Sequence, residues 1–200
     1  MTPLTDNQRD ALQEIINIGV GRGASVLNTM LNSHIVLKVP FVDIVSSAKL
    51  KNELEGMGGK KFASINMAFK GEFSGNTQLV FPTQSASKLV DVLVGDESGL
   101  SDMDMDAIRA GTLCEIGNVV LNGIMGTIAN IFEISFSYTV PDFFEESIDN
   151  LISLNEKNED RAILLASTSF IVQSLNIDGD IIIFFEVASL NALLSHIDKM

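Results

Sequence analysis

The chain has 200 residues, of which 46% are apolar, and 26 acidic against 13 basic residues give a formal net charge of -13. This apolar content is enough for a buried core and excludes intrinsic disorder, while the negative charge disfavours binding to nucleic-acid phosphates or anionic lipids. One cysteine rules out an internal disulfide, and two histidines disfavour a dedicated zinc site. The sequence shows neither a leader peptide nor an uninterrupted apolar run long enough for a membrane span, so we expect a cytoplasmic protein.

The first half of the chain predicts a long helix, three strands and a short helix. Thr5 and Gln8 have the spacing of a capping box, which predicts a helix from this point to about Leu31. A β-branched stretch follows at 34–42, in which Pro40 favours an edge strand or a bulge. The other elements expected in this half are strands near 62–72 and 76–82 and a helix over 85–93.

The second half repeats this order. The expected elements are a capped helix from Ser101 to about Ile131, a strand ending at Val140-Pro141, strands near 162–173 and 178–187 around a turn at 176–179, and a helix from about Ser189. A displacement of 101 residues superposes Leu12 on Leu113, Glu14 on Glu115, Ile15 on Ile116, Asn17 on Asn118, Val39 on Val140 and Pro40 on Pro141. Two copies of an αβββα unit, about 1–98 and about 99–200, explain the pattern. We therefore expect one α+β domain of two layers, with a mainly antiparallel sheet, pseudo-two-fold symmetry and two long, exposed motif helices.

Each long helix has an apolar face and a polar face. The apolar stripe predicted for the first helix consists of Leu12, Ile15, Ile16, Gly19, Gly23, Leu27 and Met30. Its opposite side carries four residues within about 60° of one another: Asp10, Glu14, Asn17 and Gly21. The second helix places Leu113, Val120, Ile124 and Ile128 inward and Glu115, Asn118 and Asn122 outward, with Gly111 where the first has Asp10. Because Asn is a poor helix former, its recurrence at matched exposed positions favours a function over simple solvation.

This spacing resembles the signature of the CheC/CheX/FliY family of chemotaxis phosphatases. That signature is Asp or Ser, three residues, Glu, two residues, Asn, twenty-two residues and Pro. The first copy matches it with Asp10, Glu14, Asn17 and Pro40. The second copy matches with Glu115, Asn118 and Pro141 and departs from it at Gly111. A chain of two copies without an appended flagellar-switch domain is most similar to the CheC type.

The resemblance implies a phosphatase that hydrolyses the aspartyl phosphate of a CheY-like response regulator. Asn17 and Asn118 would orient the attacking water, and Glu14 and Glu115 would pair with the regulator's active-site lysine. The resemblance also implies that the chain needs no metal or other cofactor of its own, because the regulator holds the Mg²⁺. Two further residues are expected to contact the partner: Asp10 and Gly21.

Other readings stay open at this point. A non-enzymatic adaptor would bind a CheD-type receptor deamidase or a flagellar-switch component, and this role needs a binding surface rather than a catalytic asparagine. Gly111 predicts two sites of unequal activity, with the first favoured, and internal duplication favours a monomer. The acidic segments 95–106 and 142–160 flank the second helix, so we expect added salt to help the second site selectively.

Overall fold

The structure is a computed structural model that describes residues 3–31, 34–94, 102–156, 161–172 and 175–199. Its elements are α1 (Asp6–Leu31), β1 (Ile35–Val45), α2 (Ser47–Gly56), β2 (Phe62–Gly71), β3 (Gly75–Pro82), α3 (Thr83–Val94), α4 (Asp102–Phe132), β4 (Phe136–Tyr138), β5 (Asp142–Glu146), α5 (Ile148–Glu156), β6 (Arg161–Val172), β7 (Leu175–Glu186) and α6 (Val187–Ile197). The predicted α+β class and the antiparallel sheet are confirmed.

The sheet has seven strands in the order β1-β6-β7-β3-β2-β4, with β5 also paired to β2, and every pairing is antiparallel. Strand β1 of the first half pairs with β6 of the second, and β5 of the second half pairs with β2 of the first. The strands other than β4 follow the order β1-β6-β7-β3-β2-β5. If β1 is exchanged with β5, β2 with β6 and β3 with β7, this order becomes its own reverse. This order is compatible with the predicted pseudo-two-fold symmetry, and the duplication itself stays a prediction from the sequence.

Apolar cores lie on both faces of the sheet. Helices α1 and α4 pack against each other and, with α3 and α6, against one face. The core on that face includes Leu12, Val20, Phe69, Val120 and Ile183. Helices α2 and α5 pack together against the other face, where a smaller core includes Leu50, Leu54, Phe62, Leu151 and Ile182. The two motif helices are therefore held by the larger core and by each other.

Helices α2 and α5 correct the predicted αβββα unit, because each half has an additional helix before its last two strands. Helix α2 begins after Ser46, whose hydroxyl accepts a hydrogen bond from the backbone N–H of Lys49 at 3.2 Å. It buries only Leu50 and Leu54. Two apolar residues in a short polar segment give a periodic signal too weak to predict a helix.

The predicted N-terminus of α1 is confirmed, whereas one residue of its apolar stripe is not. Thr5 and Gln8 form both bonds of the capping box: the Thr5 N–H donates to Gln8 Oε1 at 3.1 Å, and the Gln8 N–H donates to Thr5 Oγ1 at 3.2 Å. The prediction that Met30 belongs to the core is wrong, since this residue is 49% exposed. It lies beyond Leu27, the last apolar residue of the helix whose described side chain is buried.

The predicted bounds of the strand ending at Val140-Pro141 are wrong. Strand β4 ends at Tyr138 and β5 begins at Asp142, so Val140 and Pro141 lie between two strands. The equivalent segment of the first half is one continuous strand, β1, with a bulge. The two copies thus differ at the point where the signature proline stands.

The turn predicted at 176–179 is also wrong. These residues lie in β7, where Gly179 is opposite Thr168 of β6. A Cβ atom on Gly179 would stand 2.5 Å from Cε1 of Phe81. Glycine is needed here because an aromatic ring lies against the strand, and a turn has no part in it.

Helix α4 is the most apolar long helix among the described residues. Its segment Met105–Phe132 is long and apolar enough to cross a membrane by length and composition, with a mean hydropathy of 1.3. Half of the most apolar stretch of this segment is buried inside the fold, as in the core helix of a globular domain. The helix packs along α1 and against strands β2 and β3 of the sheet.

Candidate functional site

The two motif helices cross at a contact made by small residues. A Cβ atom on Gly19 of α1 would stand 2.5 Å from the Cα of Ile124 in α4, and one on Gly23 would stand 3.1 Å from the Cα of Val120. As the chain advances along α1, its partners move backwards along α4, so the helices run antiparallel at this contact. Their backbones meet directly, which leaves the opposite side of each helix to carry the motif.

The predicted site residues lie on the solvent side of the two helices. The side chains of Glu14 and Glu115 are exposed, and those of Asn17 and Asn118, one turn further along, are half-buried. Asp10, Gly21 and Gly111 are also exposed. A Cβ atom would meet no other atom within 4 Å at Gly21 or at Gly111, so neither glycine is required for packing.

In the first copy, the side-chain amide of Asn17 is bonded to the backbone of Val39. Asn17 Oδ1 accepts from the Val39 N–H at 3.1 Å, and Asn17 Nδ2 donates to the Val39 carbonyl oxygen at 3.3 Å. A primary amide has two N–H donors and two acceptor lone pairs. One N–H and one lone pair of Asn17 therefore have no partner among the described residues and can bind a water molecule.

A bulge in β1 explains why the backbone of Val39 can take these bonds. Lys38 pairs with Ser169 and Phe41 pairs with Ser167, so two residues of β1 stand opposite one residue of β6. The register leaves Val39 and Pro40 without a partner in β6. The sequence prediction that Pro40 marks an edge strand or a bulge is confirmed on both counts, since β1 is also the terminal strand of the sheet.

A further side chain of α1 reaches the same bulge. Gln13 Nε2 lies 3.3 Å from the carbonyl oxygen of Val39 and 3.3 Å from that of Pro40, and donates to both. Residues 13 and 17 are four apart and share one side of the helix. The first site is thus an assembly of a helix face and a strand bulge.

The second copy is built differently at the equivalent positions. Asn118 Oδ1 accepts a hydrogen bond from Asn122 Nδ2 of the same helix at 2.6 Å. Cys114 stands where the first copy has Gln13, and its Sγ lies 3.8 Å from the carbonyl oxygen of Pro141. Val140, the equivalent of Val39, is 82% exposed. The asparagine of the second site is therefore held by its own helix, and no bond joins it to Val140 or Pro141 in the part of the chain that the structure describes.

The cysteine of the second site has no features of a nucleophile. Burial raises the pKa of the Cys114 thiol, and the negative charges of Asp142 and Glu115 raise it further. A thiol with a raised pKa is protonated at neutral pH, and only the thiolate attacks. Among the described residues, no three or more His, Cys, Asp or Glu side chains form a group that could hold a metal ion.

Comparison with known proteins gives relatives in sequence, although no protein-family model matches the chain. The chain is 27% identical over 151 residues to the CheY-P phosphatase CheC of Bacillus subtilis, which covers 75% of this chain and 72% of CheC. It is 26% identical over 158 residues to the flagellar motor switch phosphatase FliY of Bacillus subtilis, which covers 79% of this chain but only 39% of FliY.

Solved structures share the fold. FliY of Thermotoga maritima superposes with a TM-score of 0.75 at 15% identity and covers 98% of both chains. The FliG–FliM complex from H. pylori matches at 0.67 with 16% identity, over 96% of this chain and 100% of the other. The CheX–CheY–BeF3–Mg²⁺ complex of Borrelia burgdorferi matches at 0.55 with 19% identity, over 86% and 98%.

Three contributors to the two sites carry no signal in a single sequence: Gln13, the backbone of Val39, and the bond from Asn122 to Asn118. The spacing of Asn17 and Pro40 does hold one clue, because the residue twenty-two positions after Asn17 is Val39 itself. Only the register of β1 reveals that this spacing joins a side chain to a bulge.

Proposed function

Because the chain is homologous to CheC and FliY, which supports its place in the CheC/CheX/FliY family, we propose that it is a phosphatase of an aspartyl-phosphorylated, CheY-like response regulator. The observation that carries the proposal is the Glu-x-x-Asn pair on the exposed side of both α1 and α4. The complex of CheX with CheY, a structure of the same fold, supports a regulator of this type as the partner. A cytoplasmic location is part of the same proposal.

The reaction needs a positioned water and no nucleophile from this chain. The water oxygen forms a bond to phosphorus while the bond from phosphorus to the aspartate oxygen breaks, and the aspartate leaves with the electron pair. Asn17 can accept a hydrogen bond from the water through its free lone pair and donate through its free N–H, which sets the water in line. The proton of the water leaves with the inorganic phosphate or passes to solvent.

The exposed carboxylates supply the docking contact in this proposal. Glu14 precedes Asn17 by three residues, and Glu115 precedes Asn118 by three, so each Glu lies beside its Asn on the helix surface. A carboxylate there pairs with the lysine of the regulator's active site and fixes the register of the two proteins. Asp10 and Gly21 extend the contact along α1. The regulator would hold the Mg²⁺ that neutralises the phosphoryl oxygens.

The test is the release of inorganic phosphate from phosphorylated CheY with the chain present at much less than one equivalent. We expect Asn17→Ala and Asn118→Ala each to lower the rate, and the double variant to abolish catalysis. Asn130→Ala, an exposed asparagine of α4 outside the motif, is the matched control and leaves the rate unchanged. Full activity in the double variant rejects the proposal.

A second candidate is a non-enzymatic adaptor that binds a flagellar-switch component or a CheD-type deamidase. The likeness of the fold to FliM in the FliG–FliM complex supports the flagellar-switch partner. An adaptor releases no more phosphate than its own molar amount, so multiple turnovers at low protein concentration separate the two functions. The oligomeric state, for which we keep the monomer, is measured in the same preparation by light scattering.

A further inference from the structure

The Val39–Pro40 bulge and the two side chains bonded to it form one bridge between β1 and α1. Asn17 bonds both backbone groups of Val39, and Gln13 bonds the carbonyl oxygens of Val39 and Pro40. Pro40 has no N–H, and the register gives neither bulge residue a partner in β6. The bulge is therefore tied to the helix on one side and unpaired in the sheet on the other.

We propose that Gln13 is a positioning residue, which acts through the bulge to hold the carboxamide of Asn17 in a single orientation. This inference rests on the proposed function. The last torsion of an asparagine is broad and roughly two-fold, so a half-turn exchanges the donor and the acceptor. Of the two ends of the Asn17 carboxamide, only the oxygen can accept from the Val39 N–H, and only the nitrogen can donate to the Val39 carbonyl oxygen. Gln13 holds the Val39 carbonyl in place. It thereby fixes the direction of the second N–H and the second lone pair of Asn17, which bind the water.

The second copy lacks this bridge, and the difference predicts which site is faster. Cys114 replaces Gln13, and a thiol is a much weaker donor than an amide. Asn118 is bonded to Asn122 on its own helix, and no described bond links it to the exposed Val140. We therefore expect the first site to turn over faster, for a reason independent of Gly111.

The experiment uses two single-site proteins: Asn118→Ala, which keeps the first site, and Asn17→Ala, which keeps the second. Gln13→Met removes both hydrogen bonds of the side chain with little change in size and no change in charge. With phosphorylated CheY as substrate, we expect Gln13→Met to lower kcat of the first site about tenfold or more, because small displacements of a positioned group are costly. KM stays unchanged, and the second site is unaffected in both constants.

Amide hydrogen exchange at Val39 gives a readout that does not depend on activity, and we expect exchange to become faster in Gln13→Met. Equal loss in both single-site proteins would identify a general structural effect and overturn the inference. A gain in the first site would show that the bridge restrains Asn17 from acting, which also overturns it. Turnover insensitive to Gln13→Met rejects this inference alone, whereas no turnover in either single-site protein rejects the proposed function as well.

Discussion

Gly19 of α1 lies so close to Ile124 of α4 that a Cβ atom at position 19 would stand 2.5 Å from the Ile124 Cα and 2.9 Å from the Gly123 carbonyl oxygen. Both are backbone atoms, so the helices themselves must move apart to admit a methyl group. We expect Gly19→Ala to lower the free energy of unfolding by about 1–3 kcal/mol. Chemical denaturation measures the change.

Gly21 supplies the matched control, because it lies on the same helix and a Cβ atom there would meet nothing within 4 Å. Gly21→Ala should raise the free energy of unfolding by about 0.5–1 kcal/mol, since alanine favours the helix more than glycine does. Equal effects of the two substitutions would contradict the close crossing. Weaker binding of the regulator by the more stable Gly21→Ala protein would support the expected partner contact.

The capping box at the N-terminus of α1 also stabilises this motif helix. Thr5 and Gln8 bond each other's backbone N–H groups, and Gln8 Nε2 also donates to Asp198 Oδ1 at 2.9 Å. Thr5→Ala should cost about 1 kcal/mol of stability, the usual value for a lost N-cap. Thr29→Ala, which removes an exposed hydroxyl bonded to the Ser25 carbonyl within the helix, serves as control and should change stability little. Thermal unfolding followed by circular dichroism compares the two.

The sequence predicts those parts of the fold that depend on strong periodic patterns. The long helices and the strands of the two hairpins have many apolar residues in regular positions, so their existence and approximate bounds could be predicted. Helix α2 could not be predicted, because it buries only two leucines. Gly179 suggested a turn, although glycine is required there because the ring of Phe81 lies against the strand. Features that depend on a distant neighbour leave no local pattern.

The same distinction holds at the candidate site. The exposed placement of Glu14 and Asn17 follows from helical geometry and could be predicted. The bond from Asn17 to Val39 could not, because it requires the bulge that removes two residues from the β1–β6 register. The different bonding of Asn118 could not be predicted either, because both copies have Glu and Asn at the same spacing and differ only in the residues around them.

Asp180 gives the fold a dependence on pH. Burial raises its pKa to about 6, the charges of Glu53 and Asp178 add to the rise, and a hydrogen bond from Ser167 opposes it. A carboxyl whose pKa is higher in the folded than in the unfolded chain stabilises the fold while it is protonated, and this stability is lost as the pH rises from about 4 to about 6. The loss is on the order of 3 kcal/mol.

Asp180→Asn should remove this dependence. Relative to the unmodified chain, the variant gains stability between pH 4 and pH 7.5, by about 3 kcal/mol at most. The exposed Asp91 provides a control, and Asp91→Asn should leave the pH profile unchanged. Urea unfolding at a series of pH values measures both, and parallel profiles for the unmodified chain and Asp180→Asn would contradict the buried carboxyl as the cause.

The acidic residues around the second site predict different responses of the two sites to salt. Asp142 begins β5 close enough to α4 for its charge to raise the pKa of Cys114, which neighbours Glu115. A phosphorylated regulator brings more negative charge to this place, so repulsion should slow docking at the second site. Added salt can shorten the screening length from about 30 Å to about 8 Å. It should therefore raise kcat/KM of Asn17→Ala, which keeps the second site, more than kcat/KM of Asn118→Ala, which keeps the first. Introducing Asp142→Asn into the Asn17→Ala protein should remove part of this stimulation, because it removes one of the charges that the salt screens. If both single-site proteins respond to salt alike, the repulsion does not act at the second site, and any slower turnover there has another cause.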